Sequence, residues 1–328
     1  MTGTMRAIVI DAPGPPEVLQ QRLVPVPIPV AGEVLIRVKA FRLNRSELHF
    51  RKGLAYSGSF PRIPGIEAVG VVEGAPGGEF APGTTVATMM GGMGRSFDGG
   101  HAEFVKVPIG QIIPFRSDLP WATLGAVPEM LQTAAGSLDV GVQATPGQTL
   151  LIRGGTSSVG MALAVLAKLR GITVLSSTRT PQKVASLHRL GVEHILIDDG
   201  ELALQVRELV PGGVDGAVEL VGVNVLRDTL RATRTGGTVC FTGMLSDQWT
   251  IRDFYPMDWL PNGVRLTAYS GEAANLSPET LQGFLDAVSA GAAVVPVGRT
   301  YRLDQLVEAH HDLEHNIVGG KAVVVLEP

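Results

Sequence analysis

From Thr149 to Gly271 the short apolar runs TLLIRGG, TVLSST, HILIDD, GAVELVG, TVCFTG and RLTAYSG alternate with segments patterned as helices. This alternation constrains the fold more than any other feature of the chain. Consecutive parallel strands cannot be joined by a hairpin. Each needs a crossover of about a dozen residues or more, which is what a helix supplies. The pattern predicts an α/β domain built on a doubly wound parallel sheet.

The first 115 or so residues have a different texture. They are rich in Pro and Gly and hold the runs MRAIVI, EVLIRVKAF, AVGVVEG, TTVATMM and HAEFVKVP. Short runs with turn punctuation predict an antiparallel, barrel-like domain. WATLGAVPEMLQTAAGSLDVG, starting at Trp121, reads as a helical segment leading into the alternating region. The SPETLQGFLDAVSAG helix, VVPVGRTYRL, a helix ending near His315 and the strand KAVVVLEP close the chain. That last strand can extend the sheet or return to the first domain. A chain of 328 residues is long enough for two domains with separate cores.

Scattered charges summing to −4 leave no basic face for nucleic acid and no polybasic arm for a membrane surface. Small molecules are the expected partners. The lone Cys240 excludes an intramolecular disulfide and a multi-cysteine metal cage, and reads as a buried small hydrophobe. MTGTMRAIVI lacks a signal peptide's apolar region, and no run approaches the roughly 20 apolar residues of a membrane helix, so a reducing cytoplasm is the expected address.

TLLIRGG leads through TSSVG into MALAVLAKLRG, so a glycine-rich turn lies between a strand and a helix, as a dinucleotide cradle requires. Gly155 and Gly160 fit the G-x-G-x-x-G template, with Ser157 at the middle glycine. Serine is small enough for close approach, and its hydroxyl can donate to phosphate. Thr156, Ser157, Ser158 and Val159 complete the loop. The alternative is a tight turn in another kind of α/β protein. An NAD site places Asp or Glu about 20 residues beyond the glycines, yet no acid lies between Asp139 and Glu193. Ser176, Ser177 and Thr178 are followed instead by Arg179 and Lys183, hydroxyls and cations suited to a 2′-phosphate, so the expected cofactor is NADPH. The competing reading makes Arg179 and Lys183 ordinary solvated residues.

Beyond these local readings, VKAFRLNRSELHFRKG, IPGIEAVGVV, GGHAEFVKVP, AVPEMLQTAAGSL, IRGGTSSVG, SSTRTPQK, GGTVCFTGM and NIVGGKAVVVLEP together resemble the medium-chain dehydrogenase/reductase superfamily, in its zinc-independent quinone oxidoreductase (zeta-crystallin-like) branch. The resemblance implies a GroES-like β-barrel domain over residues 1–120 and 294–328, a Rossmann NADPH-binding domain over 121–293, and an active site in the cleft between them. It implies a homodimer joined through RLTAYSG at the sheet edge. It places Asn44 near nicotinamide and substrate, Thr133 near the nicotinamide, Glu129 as a brace of that turn, and Asn316 and Lys321 on the cofactor side. Thr242, Gly243 and Met244 follow the fifth strand and are expected to border the cofactor.

Zinc-dependent relatives draw ligands from a cysteine near Leu43, from the histidine of a G-H-E motif and from a four-cysteine lobe. This chain has Gly65-Ile66-Glu67 and GGMGRSFDGG at the last two places and no cysteine at the first, so no metal is expected. Glu67 then reads as a structural carboxylate satisfied by backbone donors. His311 and His315, four apart on a helix, read as a solvated pair. Asp198 stands where many relatives carry a tyrosine near the adenine.

Without a Lewis acid, hydride delivery to an electron-poor acceptor is easier than alcohol oxidation. His49 and Tyr56 can each donate to the reduced oxygen; His49 can equally be a packed domain residue, and Asn44 can bond its own turn. Three functions stay open: an NADPH-dependent reductase of quinones, an enoyl or alkene reductase acting on enones or thioesters, and an NADPH-binding protein with little catalysis.

Overall fold

The computed structural model describes residues 3–55, 58–248 and 250–326. In chain order the strands are β1 (Thr4–Val9), β2 (Gln20–Pro25), β3 (Glu33–Arg42), β4 (Glu67–Gly74), β5 (Thr85–Met89), β6 (Phe104–Pro108) and β7 (Ile113–Pro114). There follow β8 (Thr149–Arg153), β9 (Thr173–Thr178), β10 (His194–Ile197), β11 (Val214–Glu219), β12 (Thr233–Phe241) and β13 (Arg265–Ala268), and finally β14 (Val297–Tyr301) and β15 (Lys321–Val325).

Two compact units emerge. Unit 1 takes residues 1–129, 277–285 and 295–328; unit 2 takes 130–276 and 286–294. These bounds depart from the expected ones at residues 121–129 and 277–285, which group with unit 1, and at residue 294, which groups with unit 2.

In unit 1, β3 is the organising strand. It pairs antiparallel with β4, with β6 and, at its far end, with β15. Its residues Val34, Ile36, Val38 and Phe41 are buried in one core with Val72, Val86, Leu306 and Val324. Each such side chain removed from water contributes on the order of 1.5–3 kcal/mol. The terminal strand returns here, Val324 opposite Phe41. β2 escapes sequence reading because it is mostly exposed and shows no apolar alternation; it exists through its register with β1.

Unit 2 holds a six-stranded parallel sheet in the order β10-β9-β8-β11-β12-β13. All six runs read from the sequence form its strands. Leu150, Leu151 and Ile152 of β8 are buried, as a parallel strand covered on both faces demands. The long helical run breaks into helices Trp121–Leu124 and Pro128–Gly136 and a π-helical turn, Ser137–Val142. Proline at position 128 cannot donate to the preceding turn and so begins a new helix. Strand order reverses between β8 and β11, and at such a point the carboxyl ends of the strands leave a crevice for a ligand.

Candidate active site

β8 hands the chain to Gly154, whose φ of +89° favours glycine, and then to Gly155 and Thr156. Helix Ser158–Leu169 starts immediately beyond Ser157. A Cβ on Gly160 would lie 2.7 Å from Gly154 O and 2.7 Å from Gly155 Cα, so only glycine lets the helix approach the turn this closely. The N–H groups of Ser158 and Val159 stand in the first turn, where no intrahelical carbonyl can reach them, and with the helix dipole they suit an anion. Ser157 differs from expectation. Its hydroxyl donates to Gly154 O at 2.8 Å and accepts from Gly160 N–H at 3.1 Å. It is an internal N-cap, which satisfies an orphan amide of the helix rather than presenting a donor to phosphate.

Ser177 also departs from the expected role. It is fully buried; its hydroxyl accepts from Gly154 N–H at 3.1 Å and lies 3.4 Å from Asp198 Oδ2, to which it donates. The groups left open at the end of β9 are Arg179 and Lys183. Both are exposed, and no described carboxylate pairs with either.

Thr133 and Thr242 are brought together through Ser137, whose Oγ donates to Thr133 O at 2.7 Å and lies 3.0 Å from Thr242 Oγ1. The amides of Thr242 and Gly243 both bond Glu219 O at 3.0 Å, which places Thr242, Gly243 and Met244 beyond the carboxyl end of β12. Cys240 is fully buried, 3.3 Å from Thr242 Oγ1, and burial pushes its thiol above the ordinary range.

Sequence reasoning missed the charged centre of unit 2. Arg153, wholly buried at the end of β8, donates Nε to Asp198 Oδ2 at 2.9 Å and Nη2 to Asp198 Oδ1 at 2.8 Å. Its Nη1 reaches Asp228 Oδ2 at 2.7 Å, Val225 O at 3.1 Å and Thr229 Oγ1 at 3.1 Å. Asp228 in turn accepts from the amides of Leu202 and Ala203, capping helix Leu202–Leu209. Burial pushes the neighbouring Glu219 carboxyl up to about 7, against the opposing pull of Thr229 and Arg153. The signal available in the sequence was a charged residue closing or following three apolar strands: Arg153, Glu219 and Asp198.

Unit 1 holds a second buried network. Glu67 accepts from Asn44 Nδ2 at 2.8 Å and from Glu129 N–H at 2.8 Å, with Arg42 Nε at 3.5 Å. Burial pushes its carboxyl up to about 8; Arg42 pulls it down and Glu129 pushes it further up. Glu47 accepts from the amides of Asn44 and Ile66. Asn44 therefore differs from the expected group presented to an acceptor: Oδ1 accepts from Arg42 and Nδ2 donates to Glu67, so the amide bridges the guanidinium at the end of β3 and the carboxylate at the start of β4. His49 is half-buried on helix Arg45–Arg51. Tyr56 lies outside the described residues. Asn316 is exposed with a φ of +55° and lies 3.4 Å from Arg45 Nη2, while Lys321 is buried at the start of β15. His311 and His315 stack on an exposed helix face with ring centroids 4.6 Å apart.

Residues 30–117 match the alcohol dehydrogenase GroES-like domain family and residues 190–324 the zinc-binding dehydrogenase family. The mouse quinone oxidoreductase is 27% identical over 98% of both chains. Among solved structures, AibC superposes with a TM-score of 0.89 at 27% identity, covering 100% of this chain and 97% of that one. A mycobacterial protein solved with NADPH gives 0.80 at 26% identity over 98% and 99%. Over nearly its whole length the chain is similar to quinone oxidoreductases, and it has the fold of the medium-chain dehydrogenase/reductase superfamily. It is an NAD(P)-dependent oxidoreductase acting on a small molecule. The name of one matched family raises zinc, which the residues do not fit. Among the described residues no three of His, Cys, Asp and Glu converge, Ile66 offers no donor, and both oxygens of Glu67 are engaged by N–H groups. No described helix is long and apolar enough to cross a membrane.

Proposed function

We propose that this enzyme uses NADPH to reduce a conjugated carbonyl of the quinone type. The observation that carries the reading is the pair of exposed cations, Arg179 and Lys183, without a carboxylate partner among the described residues, at the strand end that follows the cradle. The amides of Ser158 and Val159 would hold the pyrophosphate, and Arg179 and Lys183 the 2′-phosphate. Thr133, Thr242, Gly243 and Met244 would border the nicotinamide end. When bound, the nicotinamide supplies a hydride. The chain's own contribution is to orient the acceptor and stabilise negative charge developing on its oxygen. His49 and Tyr56 are the proposed donors to that oxygen, with Asn44 fixing the backbone from which helix Arg45–Arg51 starts. Asn316 and Lys321 are proposed on the cofactor side.

NADPH oxidation in the presence of a panel of quinones, enones and enoyl thioesters tests this reading. Turnover with quinones supports it, and turnover with enones or thioesters alone transfers it to an alkene reductase. NADPH binding with no acceptor turned over would leave a binding protein. Arg179→Ala should remove a charge-assisted contact of about 1.5–3 kcal/mol and weaken NADPH about ten- to a hundredfold, with NADH little changed.

A further inference from the structure

The proposed 2′-phosphate site has an acid beside it. Asp198 N–H donates to Thr178 O at 2.9 Å, one residue before Arg179, and its carboxylate receives the Ser177 hydroxyl. A carboxylate there would repel a phosphorylated ribose. Arg153 meets it with two N–H groups from a wholly buried guanidinium, in the fork geometry that suits a carboxylate. The same contacts set the turn: Arg153 holds Asp198, Asp198 receives Ser177, and Ser177 receives the Gly154 amide. We infer that Arg153 is a specificity-determining positioning residue, which neutralises Asp198 so that a 2′-phosphorylated dinucleotide is accepted beside it. This rests on the proposed placement of that phosphate at Arg179 and Lys183. Burial alone would raise the Asp198 carboxyl, but the Arg153 hydrogen bonds and charge outweigh it and hold it below its ordinary range, so the acid is ionised and needs its partner.

A purely structural brace and a charge-neutralising one differ in a measurable ratio. Loss of the brace weakens NADPH and NADH alike, whereas loss of neutralisation weakens NADPH selectively. The experiment is calorimetric titration of the full-length protein with each nucleotide, for Asp198→Asn, Arg153→Met, the double substitution and Arg179→Ala. Asp198→Asn keeps the shape and an acceptor for Gly200 N–H, and should raise the preference for NADPH over NADH by about threefold, the scale of one partly screened charge. Arg153→Met should lower the preference by about tenfold, and adding Asp198→Asn should restore most of it. If Arg153→Met does not fold, Asp198→Asn alone decides the matter. Equal changes for both nucleotides, or an unchanged preference in Asp198→Asn, would overturn the inference. Selective loss of NADPH in Arg179→Ala alongside an inert Asp198→Asn would leave the phosphate placement standing without it. An Arg179→Ala variant that loses both nucleotides equally would sink the placement and the inference together.

Discussion

Replacing Gly160 by alanine adds one methyl group where the structure has no room. The new carbon would sit 2.7 Å from Gly154 O, 2.7 Å from Gly155 Cα and 2.8 Å from Gly155 O, all backbone atoms of the cradle that cannot rotate away. Relief requires the helix and the turn to separate by several tenths of an ångström. Overpacking of this kind costs roughly 1–3 kcal/mol, and the better helix propensity of alanine returns about 1 kcal/mol. The net loss of stability should be up to about 2 kcal/mol. Binding should suffer more, because the displaced atoms are the ones that define the phosphate site. Misplacement of a positioned group by about 1 Å can cost on the order of a hundredfold in rate; for the smaller shift here we expect NADPH to bind about tenfold more weakly. Gly283→Ala is the control. It lies exposed in helix Pro278–Ser289, and a Cβ there meets nothing within 4 Å. It should gain about 0.5–1 kcal/mol with NADPH binding unchanged. Chemical denaturation and calorimetric titration of both variants make the comparison. Parent-like NADPH affinity in a folded Gly160→Ala protein would refute the claim that this close approach shapes the cofactor site.

Other outcomes follow from the same structure. His101 is wholly buried against Phe41, and burial lowers its pKa from 6.5 to about 3. The unfolded chain therefore takes up a proton that the folded chain refuses, and stability is lost as pH falls below about 6.5. The loss reaches about 2 kcal/mol at pH 5. His101→Leu should lessen the fall between pH 7.5 and 5 by that amount in urea titrations, and an unchanged slope would contradict the assignment. After dialysis against a chelator, elemental analysis should find no stoichiometric zinc and turnover should persist; a zinc ion needed for activity would overturn the metal-free reading. Among the described residues β13 has a single strand neighbour, and Leu245, Phe254, Tyr255 and Met257 are exposed in the segment before it. An unpaired edge beside exposed apolar side chains invites a second copy. Sedimentation should give a dimer at micromolar concentration, and a monomer would remove that proposal.

What the sequence disclosed and what it hid divide along a physical line. The strands of unit 2 were legible because parallel strands covered on both faces must be apolar throughout, as Leu150 to Ile152 are. Gly155 and Gly160 were legible because few other sequences satisfy a tight turn followed by a closely packed helix. The partners of Arg153 were not. Asp198, Asp228 and Thr229 lie 45 to 76 residues away and meet it only through the strand order. Ser157 and Ser177 illustrate the same limit: a hydroxyl beside a phosphate loop has two destinations, and local sequence does not distinguish ligand from backbone amide. Asn44 looked like a substrate contact by resemblance, whereas its immediate geometry is set by Arg42, Glu47 and Glu67, residues drawn from β3, helix Arg45–Arg51 and β4.

The central claim is direct hydride transfer from C4 of a bound nicotinamide to a conjugated acceptor, and isotopic substitution at that carbon tests it most directly. Single-turnover oxidation should be followed with NADPH carrying deuterium on one face of C4 and then on the other, using the best quinone or enone acceptor. A single bound orientation presents one face alone, so one isotopomer should slow the reaction by a primary isotope effect and the other should leave it almost unchanged. Equal rates for both isotopomers in a step shown to be chemistry, or no acceptor-dependent oxidation at all, would contradict the account.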